Sequence, residues 1–130
     1  MTIDWVAKAL IVLLLFSPTT SWANDALIYY NNSTTSSQYA NLKSELEDLG
    51  FTVTGSTSTS VSSSAVSGKE LVIDISGTSN CGSTCKSVYD TYVSGGGKLL
   101  IAGANGATNR NSSIEALIEN KMGVGSFTLG

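Results

Sequence analysis

Downstream of Asn24, short apolar runs alternate with segments in which apolar residues recur at helical spacing. Ala26-Leu27-Ile28-Tyr29-Tyr30 is nearly continuous in its apolar character, as a strand covered on both faces would be. After the polar stretch Asn31 to Ser37, the residues Tyr39, Leu42, Leu46 and Leu49 mark one stripe of a helix of about a dozen residues. Gly50 supplies a stop for that helix, and Phe51-Thr52-Val53-Thr54 alternates like a short second strand. Thr54 to Ser67 is dominated by Ser, Thr and Gly, with Val61, Ala65 and Val66 as its larger apolar anchors, and reads as a loop or a poorly formed helix. Leu71-Val72-Ile73-Asp74-Ile75 is the plainest strand of the chain.

A turn through Gly77 to Cys85 then leads into a helix ending near Ser94, with Val88, Tyr89, Tyr92 and Val93 on its inner side. Gly95 to Gly97 end it, Lys98-Leu99-Leu100-Ile101-Ala102 is a fourth strand, and Gly103 to Asn111 is expected to be a loop. Ser112 to Lys121 has helical period through Ile114, Leu117 and Ile118, and Ser126 to Leu129 is expected as a last, edge strand. Strands alternating with helices imply a parallel sheet joined by right-handed crossovers. The expected fold is therefore α/β, a three-layer doubly wound, mostly parallel sheet of about five strands in the flavodoxin-like order 2-1-3-4-5. One core of ordinary size is all that 130 residues provide, so 24–130 is expected as a single domain, either complete or the leading part of a longer one.

Residues 1–23 fit another pattern. Lys8 lies in a short polar start, an apolar run spans Ala9 to Phe16, and small residues occupy the last and third-last places of Ser17-Pro18-Thr19-Thr20-Ser21-Trp22-Ala23. That is the layout of a secretory leader cleaved after Ala23, and the run is about half the roughly 20 residues a spanning helix needs. The expected location is periplasmic or extracellular, with no membrane association once the leader is gone.

Charge narrows the partners. Loss of the leader removes Lys8 and Asp4, leaving six bases, nine acids and a net charge of -3. Lys43, Lys69, Lys86, Lys98, Arg110 and Lys121 are scattered, so there is no basic footprint for a nucleic acid. The chain contains no histidine, which excludes Ser-His and Cys-His catalysis within it. Acid–base work would fall to carboxylates, Lys, Tyr or Cys.

In a sheet of this order the ligand crevice lies beyond the carboxyl ends of the strands, between the first and the third. Three loops converge there: Asn31 to Ser37, Gly77 to Cys85, and Gly103 to Asn111. Asn32, Ser33 and Thr34 sit in a hydroxyl- and amide-rich turn ahead of a helix, where either an anion or simple capping by Ser36 or Ser37 would use the free amides. Asp74 interrupts an apolar strand near its end and is read as a crevice carboxylate, as a buried, hydrogen-bonded one or as a solvent-facing edge residue. Asn105, Asn109 and Arg110, with Asn111, suit an oxygen-rich ligand or the closing of a loop. Asn31-Asn32-Ser33, Asn32-Ser33-Thr34 and Asn111-Ser112-Ser113 match the glycosylation sequon. Cys81 and Cys85, three residues between them, are expected to form a local disulfide in an exported chain. A redox pair would have two intervening residues, and a metal site would need two more ligands.

The stretch Tyr92-Val93-Ser94-Gly95-Gly96-Gly97-Lys98-Leu99-Leu100-Ile101-Ala102-Gly103, followed by Asn109-Arg110-Asn111 and a helix leading to Gly123-Val124-Gly125, resembles the class I glutamine amidotransferase-like domains of secreted bacterial proteins. The resemblance runs over most of Ala26 to Leu129 in the order of elements. It implies a nucleophilic cysteine on the sharp turn after a strand and a later histidine. That turn here reads Gly103-Ala104-Asn105-Gly106, so the resemblance implies a non-catalytic relative.

The expected function is an exported, non-enzymatic binding or interaction module without a cofactor, its partner a protein, a small polar ligand or a second copy. A flavin- or nucleotide-binding domain using the loop after the first strand is the alternative. A hydrolase built on Asp74 or the crevice serines, with a base such as Lys, is a third.

Overall fold

A computed structural model describes residues 24–77, 83–102, 108–123 and 125–126. Four strands form one sheet: β1 (Asp25–Tyr29), β2 (Thr52–Ser56), β3 (Leu71–Asp74) and β4 (Lys98–Ile101). Four helices connect or follow them: α1 (Ser36–Asp48), α2 (Ser63–Val66), α3 (Ser83–Ser94) and α4 (Thr108–Met122). The sheet order is β2-β1-β3-β4 and every pairing is parallel. The α/β class and this order agree with the expectation, but the described sheet has four strands rather than five. Ser126 is exposed and outside any strand, and the rest of the expected fifth strand, 127–129, lies outside the described residues.

The register explains the layers. Ile28 pairs with Ile73 and Ile73 with Leu100, whereas Leu27 pairs with Val72 and Val72 with Leu99. Because alternate residues point to opposite faces, each strand feeds two cores. Ala26, Ile28, Leu71 and Ile73 bury against Leu46 and the half-buried Tyr39 and Leu42 of α1. Leu27, Tyr29 and Val72 bury on the other face against Val66 of α2, Val88, Tyr89 and Tyr92 of α3, and Leu117 of α4. This is why the strands read as continuous apolar runs.

Helix boundaries follow backbone chemistry. Gly50 ends α1 with φ of +88°, and Gly96 turns the chain after α3 with φ of +93°, both costly for a residue with a Cβ. The α1 stripe is shorter than its spacing implied: Leu46 is fully buried, but Leu49 is 40% exposed, because the helix has already stopped at Asp48. In Thr54 to Ser67, expected as a loop or a poorly formed helix, the strand runs further than expected and one short helical turn forms. β2 continues through Ser56, and the single turn α2 is capped by Ser62, whose Oγ accepts from the Ala65 amide. Two glycines are required by their neighbours: a Cβ at Gly55 would run into the Tyr39 ring, and one at Gly97 into the Tyr92 ring.

Ion pairs lie at the margins of the sheet and of one helix layer. Lys98 Nζ lies 2.7 Å from Glu70 Oε1, and Lys121 Nζ lies 2.9 Å from Asp90 Oδ1, joining α4 to α3. Lys121 and Asn120 together hold the Asp90 carboxyl below its usual range.

Candidate functional site

The end of β1 and the end of β3 are neighbours, with Tyr29 and Asp74 in register on the same face of the sheet. The chain leaves β1 toward α1 on one side and β3 toward α3 on the other, so this is the crevice expected from topology. Asp74 is 1% exposed. Its Oδ1 accepts from the Ser76 backbone N–H at 3.1 Å and from Ser76 Oγ at 2.7 Å, and its Oδ2 accepts from Tyr89 Oη at 2.7 Å. The carboxylate thus joins β3, the turn after it and the middle of α3. Of the three readings the sequence left open, the geometry is that of the buried, hydrogen-bonded one.

Tyr29 Oη is enclosed beside this network without a hydrogen-bond partner among the described residues. Burial raises the Tyr29 pKa and the Asp74 charge adds to the rise; the Ser62 amide lowers it in part, although it does not meet hydrogen-bond geometry.

The loop after β1 is folded onto one residue. The Ser33 amide and Ser33 Oγ both donate to Asn31 Oδ1, and the Thr34 and Thr35 amides donate to the Asn31 carbonyl. Thr35 stands at the N-cap of α1, correcting the expectation of Ser36 or Ser37, and its Oγ1 accepts from the Asn31 amide instead of capping the helix. Asn32, Ser33 and Thr34 are exposed on this turn. Three successive amides, those of Ser33, Thr34 and Thr35, are committed within the loop. Beside it, the rings of Tyr30 and Tyr39 stack with centroids 4.0 Å apart.

The third loop is shorter than expected. α4 begins at Thr108, four residues before the predicted Ser112, so Asn109, Arg110 and Asn111 belong to the first turn of a helix. Asn105 lies outside the described residues, as do Cys81 and residues 1–23, the expected leader. Cys85 is buried in the first turn of α3 against the same core as Tyr89, and no described cysteine is a free thiol. Of the predicted site residues that are described, Ser33 and Thr34 join the local turn on Asn31, and Asp74 enters a buried polar network between elements. Its partners Tyr89 and Ser76 were missed by sequence reasoning; the only signal was a polar residue in an apolar strand and a tyrosine on the inner stripe of the next helix. Among the described residues no group of three or more acidic, Cys or His side chains is placed to hold a metal. No described helix is long and apolar enough to cross a membrane.

No family model, curated protein or solved structure matches the chain.

Proposed function

We propose that this chain is an exported, non-enzymatic interaction module, a non-catalytic relative of the glutamine amidotransferase-like domains it resembles. The observation that carries this reading is the inward commitment of the crevice. Asp74, the carboxylate at the switch point, is enclosed and accepts from Ser76 and Tyr89, so it is not presented to a substrate as an acid or base. The amides of residues 33 to 35 are spent on Asn31, so a flavin or nucleotide phosphate would have to be held by the first-turn amides of α1. Chemistry left outward is that of exposed edges and turns, which is the chemistry of association. Export rests on the pattern of residues 1–23, and the Cys81–Cys85 disulfide on the two cysteines of the chain and the compartment.

Native mass spectrometry on the full-length product, recovered from the exported fraction without reductant, tests the reading. The expected species begins at Asn24, is two hydrogens lighter than its reduced form and carries no small molecule. An uncleaved chain retained in the cytoplasm would defeat the export claim. A stoichiometric cofactor or metabolite adduct would defeat the interaction claim.

A further inference from the structure

The two outer strands of the described sheet are built differently. β2 reads Thr-Val-Thr-Gly-Ser, with Thr52 and Thr54 exposed on one face, as a strand meant to border solvent. β4 reads Lys-Leu-Leu-Ile and is apolar on both faces: Leu99 and Ile101 pack toward the α3 side, Leu100 toward the α1 side, and all three are only half-buried. Apolar residues on both faces are the mark of an interior strand. α4, the helix that follows β4, packs chiefly on α3 and leaves the outer edge of β4 open among the described residues.

From this we propose that the edge of β4 is a self-association surface, occupied by β4 of a second copy in antiparallel pairing about a two-fold axis at Leu100. The inference rests on the interaction-module reading and names its partner. Three features of the strand select a second copy. First, the amides of Lys98 and Ala102 donate inward to Glu70 and Asp74 of the same chain, so by alternation those of Leu99 and Ile101 point outward. Second, a two-fold axis at Leu100 sets Leu99 opposite Ile101 of the other copy, twice over. These become the hydrogen-bonded pairs, and Leu100 opposite itself becomes the non-hydrogen-bonded pair, as the antiparallel pattern demands. Third, a two-fold normal to the sheet keeps faces matched, so apolar meets apolar throughout. Lys98, the strand's one charge, falls opposite Ala102 rather than a second lysine, and is already paired with Glu70. The product is a continuous eight-stranded sheet with a β2 at each border.

Sedimentation velocity on the full-length product from the exported fraction, across a hundredfold range of concentration, should show a dimer that dissociates on dilution. Leu100→Lys puts like charges face to face on the axis and should leave a monomer with unchanged far-ultraviolet circular dichroism. Leu100→Cys should form a covalent dimer on mild oxidation, because Cα atoms in a non-hydrogen-bonded pair lie about 4.5 Å apart, within disulfide reach. Thr54→Cys, on the opposite border, should not. A wild-type monomer at every concentration, or equal cross-linking at positions 54 and 100, overturns the proposal; protected Leu99 and Ile101 amides in that monomer would assign the edge to the chain's own residues beyond α4. A dimer that also carries a small molecule would keep this surface and defeat the interaction-module reading alone.

Discussion

Two buried tyrosines flank Asp74 and their hydroxyls have opposite energetics. Tyr89 donates to the carboxylate at 2.7 Å, so Tyr89→Phe takes a hydrogen bond from a buried charge and should cost about 1–3 kcal/mol. Tyr29 buries a hydroxyl with no partner among the described residues, so Tyr29→Phe removes a desolvated polar group at almost no change of shape and should be neutral or stabilising. Urea unfolding midpoints decide the matter, and a loss at Tyr29 equal to that at Tyr89 would show that its hydroxyl is paired. Burial also lifts the pKa of Tyr29, and that of Tyr92 further still, above the ordinary value of 10.0. A raised folded pKa means that the unfolded chain gives up the proton first. The stabilisation from these phenols is therefore complete below pH 10.0 and declines as pH rises beyond it. In a spectrophotometric titration both should ionise late, and ionisation of Tyr29 and Tyr92 at the ordinary value would contradict their burial.

Elements were legible where their chemistry was one-sided. The four strands fall within two residues of their expected ends, since apolar runs bounded by Gly and Ser leave little choice of boundary. The start of α4 was not legible: Thr108, Asn109, Arg110 and Asn111 are polar, and Asn serves a turn as readily as a helix start. The end of α1 erred the other way, because Leu49 keeps the helical spacing but stands where the chain turns toward Gly50. A paired test follows. Leu46→Ala empties a site at 0% exposure and should cost about 2–5 kcal/mol, whereas Leu49→Ala should stay within about 0.5 kcal/mol. Equal costs in thermal or denaturant unfolding would restore the longer stripe. The Asp74–Tyr89 contact was hidden for a different reason. It joins residues 15 apart across a strand end and a helix, and neither periodicity nor spacing encodes which inner tyrosine reaches a given carboxylate.

On the scale of the whole molecule, strand order decides which backbone groups are sheltered, and it does so residue by residue. β1 and β3 have neighbours on both sides, so Ile28 and Ile73, buried in the same core, should hold the slowest amides in hydrogen exchange. Among the described residues β2 has a neighbour on one side only. Thr52 donates to the Asn24 carbonyl, and alternation along the strand turns Thr54 inward and Val53 and Gly55 outward. Protection along β2 should therefore alternate, with Thr52 and Thr54 slow and Val53 and Gly55 close to unprotected rates even though all four lie in one strand. The Val53 side chain packs into the α1 core, so rapid exchange of its amide cannot be ascribed to a frayed strand. Uniform protection across Thr52 to Gly55 in dilute solution would mean that another chain segment lies on that border, and the assignment of β2 as the solvent-facing edge of the sheet would fall with it.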